Sequence, residues 1–141
     1  MIDMIWPMVI VVLANTFYNI FAKSTPDDVN AFLTLSVTYL CASALTFVIY
    51  LFTNHAGLVE EAGKINWTAF GFAGSIVFLE LGYIFIYRAG WKVSMASLVA
   101  NISLAMVLLF IGYFFYKEVI SLKQLIGVFA CIAGLVLMIN S

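Results

Sequence analysis

The segment Ser94–Tyr116, SMASLVANISLAMVLLFIGYFFY, contains no charged residue and decides the fold class. A helix that crosses the hydrocarbon core of a bilayer needs about 20 mostly apolar residues. The rest of the chain has the same character, since 65% of its 141 residues are hydrophobic and only 9% are charged. Soluble domains are about 45–50% apolar and about 25% charged. The sequence therefore predicts an all-α membrane protein with the lipid bilayer as its partner.

Four more apolar segments bring the number of predicted spans to five. The predicted helices cover residues of about 4–22, 27–52, 67–87, 94–116 and 121–139, in one transmembrane domain, 1–141. Thr25-Pro26-Asp27-Asp28 supplies an N-cap, an initial proline and two acids for the positive helix end. Ser121 and Gln124 match a capping box. The N-terminus MIDMIWP has no basic residue, which favours a retained first helix over a cleaved signal peptide.

The longest polar segment, 53–66, contains the only histidine, His55, and residues 58–64 predict a short helix at the membrane interface. The sequence has no phosphate-binding loop and no Ser/His/Asp set. Cys41 and Cys131 lie in apolar runs without a nearby histidine, so no metal site is predicted. We expect no cofactor and no enzymatic activity. The net charge of −1 predicts no nucleic-acid partner.

The basic residues do not select an orientation in the membrane. Five spans place the termini on opposite sides, and three basic residues then fall on each side. One side has Lys64, Lys117 and Lys123, and the other has Lys23, Arg88 and Lys92. Positive residues normally collect on the cytoplasmic side. Either six charges are too few to decide, or copies insert both ways up and pair antiparallel.

Glu80 is the only acid well inside a predicted span. An ionised side chain at the bilayer centre costs at least about 2.5 kcal/mol, so intramembrane acids are functional candidates by default. Glu80 could exchange a proton or balance the charge of a cation. The structural alternative is a protonated carboxyl group that is hydrogen-bonded to a neighbouring helix.

Other polar side chains lie at the depth of Glu80. At 1.5 Å rise per residue, Asn15, Glu80 and Asn101 fall within about 6 Å in height. Helical spacing adds further polar candidates, namely Tyr18, Asn19, Tyr83 and Ser97. Together they predict a pocket for a small molecule, although interhelical hydrogen bonds explain them equally well. Small residues on the last helix, Gly127, Cys131 and Gly134, predict a helix or subunit interface.

Two stretches resemble the drug/metabolite transporter superfamily. The segment Tyr116–Gly127, YKEVISLKQLIG, with Gly134 beyond it, resembles the end of an EamA-type domain, where a Gly-Glu hairpin precedes a last helix with two spaced glycines. The segment Leu13–Ser24 resembles the first helix of the small multidrug resistance family. That family has a glutamate where this chain has Asn15, and Glu80 would supply the acid instead.

The resemblance implies a five-helix bundle that is one half of a ten-helix inverted-repeat transporter, with its substrate site near the midplane. A homodimer would supply all ten helices of such a transporter. The first hypothesis is a secondary transporter of a small organic metabolite or cation in the plasma (inner) membrane, working by alternating access, with proton coupling through Glu80 as one option. The alternative is a non-transporting or heterodimeric membrane subunit, for example one that assists lipid translocation.

Overall fold

A computed structural model describes residues 2–53 and 57–139, and within them the chain is helical, without strands. The six helices are α1 (Ile2–Ser24), α2 (Ala31–Thr53), α3 (Leu58–Ala62), α4 (Thr68–Arg88), α5 (Val93–Phe115) and α6 (Leu122–Ile139). All except α3 are long and apolar enough to cross a membrane. This confirms the predicted five-span, all-α membrane fold.

The short helix α3 falls within the predicted segment 58–64. Its acids are followed by Lys64, whose Nζ lies 2.8 Å from a carboxylate oxygen of Glu61 and 3.4 Å from one of Glu60. Exposed pairs at this spacing add a few tenths of a kcal/mol to a helix. His55 lies outside the described residues.

The start of α2 corrects the prediction that this helix begins near residue 27. Residues 25–30 form a loop, and the helix begins at Ala31. Its cap is Asn30, whose Oδ1 accepts hydrogen bonds from the N–H groups of Phe32 (2.9 Å) and Leu33 (3.3 Å). The Thr25 hydroxyl instead donates to the Phe21 carbonyl at the end of α1. Asn is as good an N-cap as any residue, and its position next to the apolar run decides the boundary.

The start of α6 has the predicted capping box. The Ser121 N–H donates to Gln124 Oε1 (2.7 Å), and the Gln124 N–H donates to Ser121 Oγ (3.2 Å). Two N–H groups that the helix leaves unpaired are thereby satisfied reciprocally.

The chain divides into two compact units, Met1–Ala89 and Gly90–Ser141. In the first unit α4 packs against both α1 and α2. The apolar core of this unit is small and consists of Ala31, Leu35 and Ile84, each 5% exposed. Large side chains such as Phe70 and Phe72 point outward, as lipid-facing residues do.

The second unit pairs α5 with α6 through a tight hairpin. The Gly112 carbonyl accepts hydrogen bonds from the N–H groups of Tyr116 (3.2 Å) and Glu118 (3.0 Å). Lys117 between them has φ +57°, a conformation that favours glycine. The Glu118 side chain folds back over Gly112, where an added Cβ would lie 2.5 Å from Oε2. The backbone at Lys117 therefore suits a glycine directly before Glu118, as in the Gly-Glu pair that EamA-type hairpins have.

Candidate functional site

The contact between α1 and α4 is polar. Asn19 on α1 is only 4% exposed, and its Oδ1 accepts a hydrogen bond from the Tyr87 hydroxyl on α4. The Asn19 amide nitrogen donates to both the carbonyl and the side-chain oxygen of Asn15, each at 2.8 Å. A buried amide must be paired in this way because an unpaired one costs about 1–3 kcal/mol.

Three tyrosine rings continue this contact toward the bilayer centre. Tyr18 meets the edge of Tyr83 at a centroid distance of 5.5 Å, and Tyr83 stacks on Tyr87 at 6.1 Å. Lys23 lies at the Tyr87 end of this row of rings, with its Nζ 5.9 Å from the Tyr87 ring centre and 3.2 Å from the Tyr87 carbonyl oxygen. Rings at these distances contribute about 0.5–1.5 kcal/mol per pair beyond their burial. The row fixes the faces of α1 and α4 that meet.

Glu80 lines a half-open cavity of about 200 Å³ between α1, α2 and α4. The carboxyl group is half-buried and comes from the middle of α4. The other lining residues are Tyr18, Phe21, Ala22, Thr25, Thr34, Leu35, Thr38 and Ile84. Aromatic and aliphatic walls with a few polar groups are typical of small-molecule sites.

Two tyrosine hydroxyl groups near Glu80 have unused hydrogen-bonding capacity. Tyr18 and Tyr39 both interact electrostatically with the Glu80 carboxyl group. Each hydroxyl oxygen is buried; that of Tyr18 has no hydrogen-bond partner within the described residues, and that of Tyr39 has only a loose hydrogen bond with Glu80. Buried polar groups are normally paired, so each exception calls for an explanation. Because Tyr18 lines the cavity, a ligand there would lie within reach of its hydroxyl.

The threonines of the cavity offer acceptors rather than donors. Each hydroxyl already donates to the carbonyl one turn earlier: Thr25 to Phe21 (3.1 Å), Thr34 to Asn30 (3.2 Å) and Thr38 to Thr34 (2.9 Å). Their lone pairs remain for a ligand. Among the described residues, the lining contains no Lys, Arg or His. The polar groups that accompany Glu80 in the cavity are therefore these acceptors and the hydroxyl of Tyr18.

The second unit has its own polar contact. Asn101 Nδ2 donates to the carbonyl (2.8 Å) and the hydroxyl (3.2 Å) of Ser97. Asn101 also lines a groove of about 370 Å³ between α5 and α6, together with Gly127 and Cys131. In the described part of this unit nothing lies within 4 Å of a Cβ built at Gly127 or Gly134. The contact of these residues with another helix or subunit stays a prediction.

Comparison with known proteins gives a family for the chain. The model of the EamA-like transporter family matches residues 4–140. The chain belongs to this family. No curated protein and no solved structure matches it. EamA-type proteins are membrane transporters of the drug/metabolite type, which agrees with the five apolar spans.

The EamA-type chain brings five of its predicted site residues together in the first unit. Asn15 and Asn19 are hydrogen-bonded, Tyr18 contacts Tyr83, and Tyr18 shares the cavity with Glu80. Ser97 and Asn101 are bonded to each other in the second unit. That they share a pocket with Glu80 stays a prediction.

Sequence reasoning missed the contribution of α2. Thr34, Thr38 and Tyr39 reach the cavity or Glu80, and none of them was a predicted site residue. The available signal was the spacing of Thr34 and Thr38 by four residues, which places both hydroxyls on one helix face. Tyr87 was likewise not among the predicted site residues.

Proposed function

We propose that this EamA-type chain is a secondary transporter that moves a small organic cation across the plasma (inner) membrane by alternating access, as a homodimer. The observation that carries the proposal is the cavity in which Glu80 lies beside threonine oxygens and aromatic rings, with no basic residue among the described residues that line it. An anionic substrate would be repelled by an ionised Glu80 and would find a donor only in the Tyr18 hydroxyl. A substrate with N–H donors or a positive charge would find partners.

The aromatic residues favour the same substrate class. The ring of Tyr18 lies in the cavity wall and forms a T-shaped pair with Tyr83. A cation near an aromatic face gains about 0.5–2 kcal/mol, and the gain is larger where water is excluded. The carboxylate of Glu80 would supply the charge balance that a cation needs in lipid.

The cavity volume favours a dimer. At about 200 Å³ it lies below the roughly 300–1,000 Å³ of typical ligand sites. A second copy in the opposite orientation would enlarge it and reproduce an inverted repeat, whose site lies at the repeat interface. Ser97 and Asn101 would then complete the polar lining.

Proton coupling would follow from competition at one carboxyl group. Glu80 can hold either a proton or a cation, so binding of one releases the other. If the cavity exchanges sides only when Glu80 is occupied, proton movement in one direction drives cation movement in the other. Tyr39 would hold the carboxyl group in place through its hydroxyl.

The test is transport in proteoliposomes that contain the purified protein, with a panel of small primary, quaternary and guanidinium cations and an imposed pH gradient. Glu80→Gln removes the charge and keeps the shape. We expect its uptake to fall at least about 30-fold, since a charge-assisted hydrogen bond contributes about 2 kcal/mol. Glu60→Gln is the matched control, because Glu60 is an exposed acid on α3.

Full pH-driven uptake by Glu80→Gln would contradict the coupling role. If the wild-type protein neither binds nor transports any cation of the panel, the proposed substrate class is wrong. The non-transporting or heterodimeric subunit would then be the better hypothesis.

A further inference from the structure

Arg88 ties the end of α4 to the loop between α1 and α2. Its Nη2 donates to two loop carbonyls, those of Pro26 at 3.0 Å and Val29 at 2.6 Å. The side chain is 21% exposed, and its Nε is buried without a hydrogen-bond partner in the described chain. Asp27 Oδ1 lies 3.8 Å from that Nε, on a side chain that is 82% exposed.

The loop lies at one end of the Glu80 cavity. Thr25, the first loop residue, and Thr34, in the first turn of α2, both line that cavity. Glu80 lies eight residues before Arg88 on α4, which corresponds to about 12 Å along the helix. The cavity thus extends from the carboxyl group at membrane depth to the loop that Arg88 holds.

The bonds to Arg88 are the only hydrogen bonds between the described loop, residues 25–30, and α4. Two bonds from one charged group to backbone carbonyls hold a short segment firmly, yet they can be broken together by one side-chain movement. The exposed carboxylate of Asp27, 3.8 Å from Nε, belongs to the same loop and adds a third contact to the same guanidinium group. A clamp with these properties can both close and release.

We propose that the loop 25–30 is a gate at one end of the Glu80 cavity and that Arg88 is the residue that holds it closed. The gate opens when Arg88 leaves Asp27 and the carbonyls of Pro26 and Val29, and movement of the loop then uncovers Thr34. The inference rests on the proposed function only in that the cavity is the substrate's route.

The test measures access to the cavity without any substrate. In a background with Cys41→Ser and Cys131→Ser, Thr34→Cys places one thiol in the cavity wall. The rate of its modification by a positively charged, membrane-impermeant thiosulfonate is measured in nanodiscs. Arg88→Gln should raise this rate at least about 30-fold, the effect expected for the loss of even one charge-assisted bond. Arg88→Lys should give an intermediate rate, because an ammonium group lacks the planar fork of guanidinium.

Lys92→Gln is the matched control, since it removes a positive charge between α4 and α5 near Arg88, and its rate should equal that of the parent. Cys131 as the single thiol reports general loosening of the fold. Equal rates at Thr34→Cys with and without Arg88 would overturn the gate, and so would a parallel increase at Cys131. If Arg88→Gln does not fold, parental labelling in Arg88→Lys overturns it instead. Because labelling needs no substrate, failure of the gate and failure of transport are separate results.

Discussion

Tyr87 is the residue on which the contacts between α1 and α4 converge. Its hydroxyl donates to Asn19, its ring stacks on Tyr83, and its carbonyl accepts a hydrogen bond from Lys23. One side chain thus connects the buried amide of α1 to the aromatic row that leads to the cavity. Its position near the end of α4 makes it look like an ordinary interfacial tyrosine in the sequence.

Tyr87→Phe should destabilise the protein by about 1–2 kcal/mol, because the Asn19 oxygen loses its donor in a buried site. The expected effect exceeds the average of about 0.6 kcal/mol for interhelical hydrogen bonds in membranes, since Asn19 is only 4% exposed. Thermal unfolding in detergent measures the change. Tyr116→Phe is the control, because Tyr116 is 75% exposed. Equal melting temperatures for the two variants would contradict this role of Tyr87.

At the scale of elements, the helix ends show what the sequence could predict. The Ser121–Gln124 box was readable because both capping groups stand next to a clear apolar run. The start of α2 was misjudged because Thr25 and Asn30 are competing caps, and Pro26 suits a loop as well as a first helical turn. Contacts with α4 favour the loop, since Arg88 bonds two of its carbonyls. Such a contact between distant residues leaves no local signal.

The same reasoning applies to the candidate site. Glu80 could be found because one rule, the cost of a charge in lipid, singles it out. Thr34 and Thr38 could not, because a threonine that bonds its own helix is compatible with either a lipid-facing or a cavity-facing position.

Lys117→Gly should stabilise the hairpin between α5 and α6 by about 1 kcal/mol, because Lys117 has φ +57° and glycine adopts that conformation without a Cβ penalty. The melting temperature in detergent should rise. Lys92→Gly is the control: with φ −71° it gains nothing and loses backbone entropy, so its melting temperature should fall slightly. A lower melting temperature for Lys117→Gly would refute the argument.

At the scale of the whole molecule, three of the six basic residues that are balanced between the two membrane sides have partners within the fold. Lys23 and Arg88 bind backbone carbonyls in the first unit, and Lys64 pairs with two acids. These contacts belong to the fold whichever way the chain is inserted. The balanced charges are therefore compatible with a chain that inserts in both orientations.

A reporter fused to the C-terminus, in two versions active on opposite sides of the membrane, should give signal from both. Val119→Lys, in the exposed α5–α6 hairpin, should move the population toward one orientation, and Ala89→Lys should move it toward the other, following the positive-inside rule. Signal from a single side, unchanged by either substitution, would reject dual topology and with it the antiparallel homodimer.

The hydrogen bond between Asn19 and Tyr87 joins residues that are 68 positions apart. At about 5–20 residues per second, a ribosome needs about 3–14 s to reach the second partner after making the first. During that interval α1 has entered the bilayer while its amide is satisfied only by Asn15. Packing of α1 therefore waits for the third span, and a nascent chain arrested before Tyr87 would present a polar, unassembled helix to the quality-control machinery of the cell.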